Sequence, residues 1–162
     1  MHSDWRWLIV SIAALSLCGT FAARAQDNTA AAVEDKPYKI APDGTVDWAT
    51  FSGFRRFNST CFVCHGPDGA GSSFAPALVE SLKRLSYEQF SEIVVNGKTD
   101  VNTANQRKMP SFGTDPNVMC YLDDIYAYLK ARSDGVLGRG RPPKHADKPP
   151  EAAEAENACM GN

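Results

Sequence analysis

Two thiols and an imidazole stand within one five-residue stretch, Cys61-Phe62-Val63-Cys64-His65. Each cysteine of such a pair can form a thioether with a vinyl group of haem, and the histidine that follows can bind the iron. The spacing therefore predicts covalent attachment of a c-type haem through Cys61 and Cys64, with His65 as the proximal ligand. The motif occurs once in the chain, so one haem is expected.

Other chemistries use the same Cys-x-x-Cys spacing. A thioredoxin-like redox pair normally accompanies a βαβ pattern, and a structural zinc site needs a second pair of ligands. The sequence shows neither pattern. A plain disulfide with a chance histidine beside it is the alternative that stays open.

The N-terminus predicts export from the cytoplasm. Arg6 provides a positive start, residues 8–17 form an apolar stretch, and Ala23-Arg24-Ala25 offers small residues for cleavage. The stretch is too short for a convincing membrane span. Cys18 raises the alternative of a lipid anchor, but the residue before it is a leucine, larger than such processing usually accepts. We expect a signal peptide over residues 1–25 and a periplasmic protein without a membrane anchor.

The remaining chain has the size of a single domain. Its lead-in, residues 26–44, is rich in Ala, Asp, Pro and Gly and lacks apolar periodicity, which predicts an extended segment before a fold that starts at residue 45. The formal net charge of the whole chain is −2, which offers no basic surface for nucleic acid.

Two helices are predicted on either side of the haem motif. After a plausible N-cap at Asp47, apolar side chains recur every three positions and lead to Cys61. These side chains are Trp48, Phe51, Phe54 and Phe57. A second helix is expected from Ser86, which forms a capping-box pattern with Gln89, to a stop at Gly97.

A last helix is predicted from Pro116 to Arg132, after a cap at Asp115. One face carries the apolar residues Val118, Met119, Leu122, Ile125, Tyr126 and Leu129, and Cys120 and Ala127 fall largely opposite. We find no strand pattern, including in the loop 98–113. The prediction is an all-α fold, a small class I cytochrome c fold by the resemblance given below, of three to four helices wrapped around one covalent haem. Helices this few, joined by long loops, would have too small a core by themselves, and the haem would complete it.

Two cysteines have no role in haem attachment. Cys120 and Cys159 form an even pair in a chain expected to reach an oxidising compartment, so a disulfide between them is predicted. The extended C-terminal tail, residues 133–162, contains few apolar residues with which to pack by itself. The disulfide would tie this tail to the last helix. Two unpaired thiols are the alternative.

With the haem motif, the helix order and the Met109-Pro110 loop in view, residues 45–132 resemble the class I c-type cytochromes. Gly53, Phe57 and Cys61 stand at four-residue intervals, as in that family's first helix. The resemblance implies that Gly53 permits a close crossing of the last helix near Tyr126. It also implies that the carbonyl of Pro76 accepts a hydrogen bond from the proximal histidine, fixing its orientation.

The same resemblance implies that Met109 is the second axial ligand. Other candidates are Met119, which is better explained as core, Met160 on the tail, and His145, for which we expect a solvated position. If none of them binds the iron, an open sixth position would suit a haem enzyme or a gas sensor.

A closer resemblance is to the periplasmic c-type cytochromes of methanol metabolism, which carry two extra cysteines. It rests on Cys120, Cys159 and the run from Tyr128 to Pro142. It implies a one-electron carrier, not an enzyme, with a quinoprotein alcohol (methanol) dehydrogenase as donor and another cytochrome or a terminal oxidase as acceptor. A docking module that uses the tail is the remaining alternative.

Overall fold

The computed structural model describes residues 36–101 and 106–161, with side chains described outside 101–107. The predicted signal segment 1–25 and the first part of the lead-in lie outside these residues. Among the helices of the described part of the chain, none combines the length and apolarity needed to cross a membrane.

Helices make up nearly all of the regular structure in the described residues. In chain order the elements are α1 (Trp48–Arg56), a π-helical turn (Phe57–Cys61), α2 (Phe62–His65), a 3₁₀ turn (Pro67–Gly69), α3 (Leu78–Ser81), α4 (Tyr87–Asn96), β1 (Lys98–Val101), β2 (Gln106–Met109), α5 (Pro116–Met119), α6 (Leu122–Ser133) and α7 (Pro150–Met160). The prediction of an all-α class is confirmed, because the only sheet described is one short antiparallel pair.

The predicted helix starts form as expected. Asp47 accepts a hydrogen bond from the backbone N–H of Thr50 at 2.9 Å. At the start of α4, Ser86 Oγ accepts from the Gln89 N–H at 3.3 Å, and Gln89 Oε1 accepts from the Ser86 N–H at 3.0 Å. At the start of α5, the Asp115 side chain accepts a hydrogen bond from the Asn117 N–H at 2.9 Å. Each cap satisfies donors that the first helical turn leaves without partners.

Helices α1 and α6 cross at Gly53, as the family resemblance implied. A Cβ on this glycine would lie 1.8 Å from the Asp124 carbonyl oxygen and 2.9 Å from Tyr128 Cβ, so the backbones approach as closely as a glycine allows. The crossing partner is therefore the turn from Asp124 to Tyr128. The expected partner was Tyr126 or one of its neighbours on the apolar stripe, but the Tyr126 ring lies on another face, with its centre 5.2 Å from that of Phe90.

The last helix differs from the single helix expected over residues 116–132. It is divided into α5 and α6 at Tyr121, whose φ of −131° is not helical. The break turns the Tyr121 ring inward under Arg56, whose guanidinium lies 3.4 Å from the ring centre. In α6, Ala127 and Tyr128 are buried as well as the predicted stripe. Helix α6 therefore buries residues on more than one face, whereas the sequence analysis predicted burial of a single apolar stripe.

The loop 98–113 contains a hairpin that the sequence did not predict. Lys98 pairs with Met109 and Asp100 with Arg107 in an antiparallel register. Lys98, Thr99 and Asp100 are exposed, so the strand lacks the apolar alternation by which a half-buried strand is recognised.

The tail is less extended than predicted, because it pairs with the body and ends in α7. Val46 N–H donates to the Lys144 carbonyl at 3.2 Å, and Ala146 N–H donates to the Val46 carbonyl at 2.9 Å. His145, expected in solvent, stacks on Phe51 with ring centres 3.6 Å apart. The backbone pairing therefore brings an aromatic contact that the sequence pattern did not show.

Ordered contacts also begin before the boundary predicted at residue 45. Tyr38 OH donates to Asp134 at the end of α6 at 2.7 Å, and Ile40 forms a bridge with Val46. Tyr38 and Ile40 both pack against the core. Part of the lead-in is thus an edge of the fold.

Replacing Gly53 by alanine tests the helix crossing. Gly53→Ala should lower the free energy of unfolding by about 1–3 kcal/mol or more, because the new methyl group overlaps the Asp124 carbonyl. Denaturant unfolding of the haem-loaded protein measures the loss. Gly138→Ala is the matched control, since a Cβ there meets nothing within 4 Å and should change stability by less than about 0.5 kcal/mol. Equal losses in both variants would contradict a close crossing.

Candidate haem site

An apolar cavity lies between α3, α4 and α6. Its lining consists of Cys61, His65, Leu78, Leu82, Leu85, Phe90, Ile93, Val94, Met109, Phe112, Val118, Leu122, Ile125 and Leu129. The only side chains in that lining that are not hydrocarbon are a thiol, an imidazole and a thioether. All three are groups that can bind haem or its iron.

His65 ends α2, and its side chain is buried against the cavity. Its Nδ1 lies 3.0 Å from the Pro76 carbonyl oxygen, so this nitrogen donates and Nε2 keeps its lone pair. Burial lowers the pKa of His65, although the bond to Pro76 acts in the opposite direction. A neutral imidazole held by a carbonyl on its far nitrogen is the form in which histidine binds a metal.

The two cysteines of the motif have different surroundings. Cys61 lines the cavity, and burial raises the pKa of its thiol to about 11, with the nearby Cys64 adding to the rise. Cys64 is exposed, and neither thiol is in a disulfide. A haem attached to both would therefore have one thioether in the apolar interior and one at the surface.

Met109 reaches the cavity from the end of β2. The chain can approach α4 here because Gly97 has a φ of +73° and no side chain, and a Cβ on it would lie 2.6 Å from the Met109 carbonyl oxygen. Beyond Met109, Phe112 N–H donates to the Val94 carbonyl at 3.0 Å, which holds the loop against α4. The other candidate ligands, Met119, Met160 and His145, are absent from the cavity lining.

These residues fit a covalently bound haem. The cavity is apolar, and it brings His65 and Met109 into one lining with Cys61. Cys61 and Cys64 would form the thioethers, while His65 and Met109 would offer nitrogen and sulfur to the iron.

Sequence reasoning missed a buried carboxylate in the loop that follows His65. Asp68 has a φ of +59°, and its carboxylate accepts from Gly140 N–H at 2.8 Å and from Arg139 Nε at 3.1 Å. The bond to the Gly140 N–H and the side chain of Arg139 hold its pKa below the usual range despite burial. The aspartate therefore ties the haem loop to the tail. The Pro67-Asp68-Gly69 turn sequence is the available signal, because aspartate tolerates left-handed backbone better than most residues.

Comparison with known proteins decides the family. Residues 49–129 match the family model described as "Cytochrome C oxidase, cbb3-type, subunit III". Cytochrome c-553I of Paracoccus denitrificans is 58% identical over 128 residues, or 78% of this chain and 57% of that protein. Cytochrome c-555 of Methylococcus capsulatus is 41% identical over 96 residues, or 59% of this chain and 72% of that protein. The chain belongs to the class I c-type cytochromes.

A solved structure supports the fold of this cytochrome. The c-type cytochrome XoxG from Methylobacterium extorquens AM1 superposes with a TM-score of 0.64 at 44% identity, covering 78% of this chain and 83% of that one. The predicted family and fold are confirmed, and family membership implies covalently bound haem c. All three relatives are named as cytochromes. This cytochrome spans 57% of the length of cytochrome c-553I.

We propose that Met109 is the second axial ligand, and its replacement tests this. Met109→Ala should lower the haem potential by on the order of 100 mV, within the roughly 0.8 V that axial ligands span. It should also abolish the sulfur-to-iron charge-transfer band of the ferric spectrum. Met119→Ala is the control, because Met119 packs on the core without lining the cavity. A band that survives in Met109→Ala would assign the ligand elsewhere.

Proposed function

We propose that this cytochrome is a periplasmic one-electron carrier with a single haem c. It receives electrons from a quinoprotein alcohol dehydrogenase, with methanol as the first alcohol to test, and passes them to another cytochrome or a terminal oxidase. The observation that carries the proposal is the joint lining of one apolar cavity by His65 and Met109. If both side chains bound the iron of the haem, no coordination position would be left for a substrate.

The protein's part in this function is to hold the ligands and exclude water. Haem c, when bound, supplies a one-electron couple between ferric and ferrous iron. His65 is kept neutral by burial and fixed in orientation by the Pro76 carbonyl. Apart from Cys61, His65 and Met109, the lining of the cavity is hydrocarbon and offers no proton donor to the iron, so the residues present favour electron transfer without proton transfer.

The electron balance sets how many carriers one substrate needs. Oxidation of an alcohol to an aldehyde releases two electrons and two protons, which the quinone cofactor of the dehydrogenase takes up as a quinol. Each carrier accepts one electron, so two ferric carriers become ferrous for each alcohol, and the two protons go to solvent. This stoichiometry is a measurable consequence of a single haem.

Support for the donor and the compartment comes from similarity. The sequence resembles the cytochromes of methanol metabolism, and 44% of matched residues are identical to the c-type cytochrome XoxG of Methylobacterium extorquens AM1. The N-terminal segment resembles a signal peptide, and a covalent haem with an additional cysteine pair suits an oxidising compartment.

The other two hypotheses have less support. Met109 in the cavity lining disfavours the open sixth position that a haem enzyme or gas sensor would need. A docking module formed by the tail would need a free segment, but the tail pairs with Val46, bonds to Asp68 and stacks on Phe51 through His145.

We also propose that Cys120 and Cys159 form a disulfide in the mature protein. Support comes from their backbone positions, because their Cα atoms lie 5.7 Å apart, within the range that a disulfide spans, across a sequence separation of 39 residues. Closing a loop of this length restricts the unfolded chain and should stabilise the fold by about 4 kcal/mol in the chain-entropy model.

The double replacement of Cys120 and Cys159 by serine should lower the free energy of unfolding by up to about 4 kcal/mol, while the haem spectrum stays unchanged. Denaturant unfolding and a visible spectrum measure the two effects. Thiol titration of the denatured, haem-loaded native protein should give no free thiol, because the haem occupies the other pair. Two free thiols in that titration would disprove the disulfide.

Mixing the purified ferric cytochrome with candidate quinoprotein dehydrogenases tests the donor. On addition of alcohol, the visible spectrum should show two carriers reduced for each aldehyde formed. Heat-denatured dehydrogenase is the control for direct reduction by alcohol. If every tested dehydrogenase fails to reduce the native protein, the assigned donor is wrong.

A further inference from the structure

The haem loop, residues 66–71, begins directly after His65 and returns to it. Gly71 N–H donates to the His65 carbonyl at 2.8 Å, which closes the loop on itself. A Cβ on Gly69 would lie 3.0 Å from Leu129 Cδ2, and Leu129 is part of the cavity lining. The loop therefore lies against the wall of the cavity and shares a backbone hydrogen bond with the proximal histidine.

The end of the haem loop also contacts the peptide unit that orients His65. Gly71 has a φ of +90°, and a Cβ on it would lie 2.8 Å from the Ala77 nitrogen, so the two backbones touch. The Ala77 nitrogen and the Pro76 carbonyl belong to one planar peptide unit. That carbonyl oxygen lies 3.0 Å from His65 Nδ1. The position of this acceptor therefore depends on where the haem loop lies.

One side chain fastens the haem loop to the tail. The other five residues of the loop are glycine, proline or alanine, so only Asp68 has a side chain that can form a hydrogen bond. Its carboxylate is 8% exposed and accepts from Gly140 N–H at 2.8 Å and from Arg139 Nε at 3.1 Å. Both donors belong to the tail. Breaking these bonds is costly, because a buried carboxylate would be left without partners.

We propose that Asp68 is a positioning residue through which the tail sets the haem potential. Held by the tail, Asp68 fixes the haem loop against the Pro76–Ala77 peptide. It thereby fixes the hydrogen bond that His65 donates to the Pro76 carbonyl. The inference rests on the proposed function, in which His65 is a ligand of the haem iron, and it adds a role in that function for the tail.

The sign of the effect follows from the hydrogen bond. A firm bond at Nδ1 raises the basicity of the imidazole, and a more basic ligand favours the more highly charged ferric iron. A loosened haem loop should weaken this bond and raise the haem potential. We expect a roughly tenfold change in the equilibrium constant for one-electron reduction, the lower end of the effects of outer hydrogen-bond partners, which is about 59 mV.

A substitution that changes no charge separates positioning from a plain effect of the Asp68 charge. Gly140→Pro removes the N–H from which Asp68 accepts, and proline does not fit the φ of +81° at this position. Positioning predicts a raised potential in this variant, whereas an effect of charge alone predicts no change.

Gly44→Pro is the matched control. Gly44 has a φ of +83°, and its N–H donates to the Ala41 carbonyl at 2.9 Å, so the same change breaks the same kind of bond in the turn before α1. Its potential should equal that of the native protein. Equal potentials in Gly140→Pro and Gly44→Pro would overturn the proposal.

Two replacements of Asp68 provide a second comparison. Both Asp68→Asn and Asp68→Ala remove the negative charge, but asparagine keeps an oxygen that can accept from Gly140 N–H. Asp68→Ala should therefore raise the potential more than Asp68→Asn. Equal rises in these two variants, with no change in Gly140→Pro, would show that Asp68 acts by its charge and would refute a positioning role.

NMR of the ferrous, haem-loaded protein examines the hydrogen bond itself. Hydrogen–deuterium exchange of the His65 Nδ1–H should be about tenfold faster or more in Gly140→Pro and Asp68→Ala than in the native protein and in Gly44→Pro. Either variant is sufficient where the other fails to fold. Exchange at the native rate would overturn the proposal even in a variant of lower stability. No donor enters these measurements, so a dehydrogenase that fails to reduce the protein contradicts the donor assignment alone.

Discussion

The close contact between α1 and α6 at Gly53 is the constraint on which the rest of the structure depends. It places the Asp124 carbonyl where any side chain at residue 53 would stand. Helix α1 continues through the π-helical turn into Cys61 and His65, while α6 lines the cavity with Leu122, Ile125 and Leu129. The distance between the two backbones therefore sets the distance between the haem motif and the opposite wall. Ordinary side-chain packing would separate the helices and widen the cavity.

A second constraint acts on the other side of the cavity. Here Gly97 ends α4 in a left-handed conformation and lets the Met109 segment approach. The two candidate ligands of the iron are therefore held in different ways. His65 lies at a helix end and is hydrogen-bonded to the Pro76 carbonyl. Met109 precedes a loop that backbone hydrogen bonds hold against α4. Apolar side chains leave a cavity between these supports, which a covalently bound haem would fill.

Features that depend on neighbours in sequence could be predicted, and features that depend on distant contacts could not. The haem motif and the Ser86–Gln89 capping box are complete within a few residues, so their chemistry is readable directly. The break at Tyr121 accompanies the packing of that ring under Arg56, which lies 65 positions earlier in the sequence. The order in the tail depends on His145 meeting Phe51. The exposed hairpin lacks any burial pattern, which is the signal that strand prediction uses.

Charged side chains also fasten the tail to the rest of the fold. Lys148 bonds to Glu156, which lies 3.6 Å from the Arg56 guanidinium, and Arg139 pairs with Asp68. The Asp68 carboxylate is buried and also accepts from the Gly140 N–H, so losing these bonds would leave a buried charge without partners. Exposed ion pairs contribute little to stability, so the position of the tail depends more on this buried carboxylate than on the pairs at the surface.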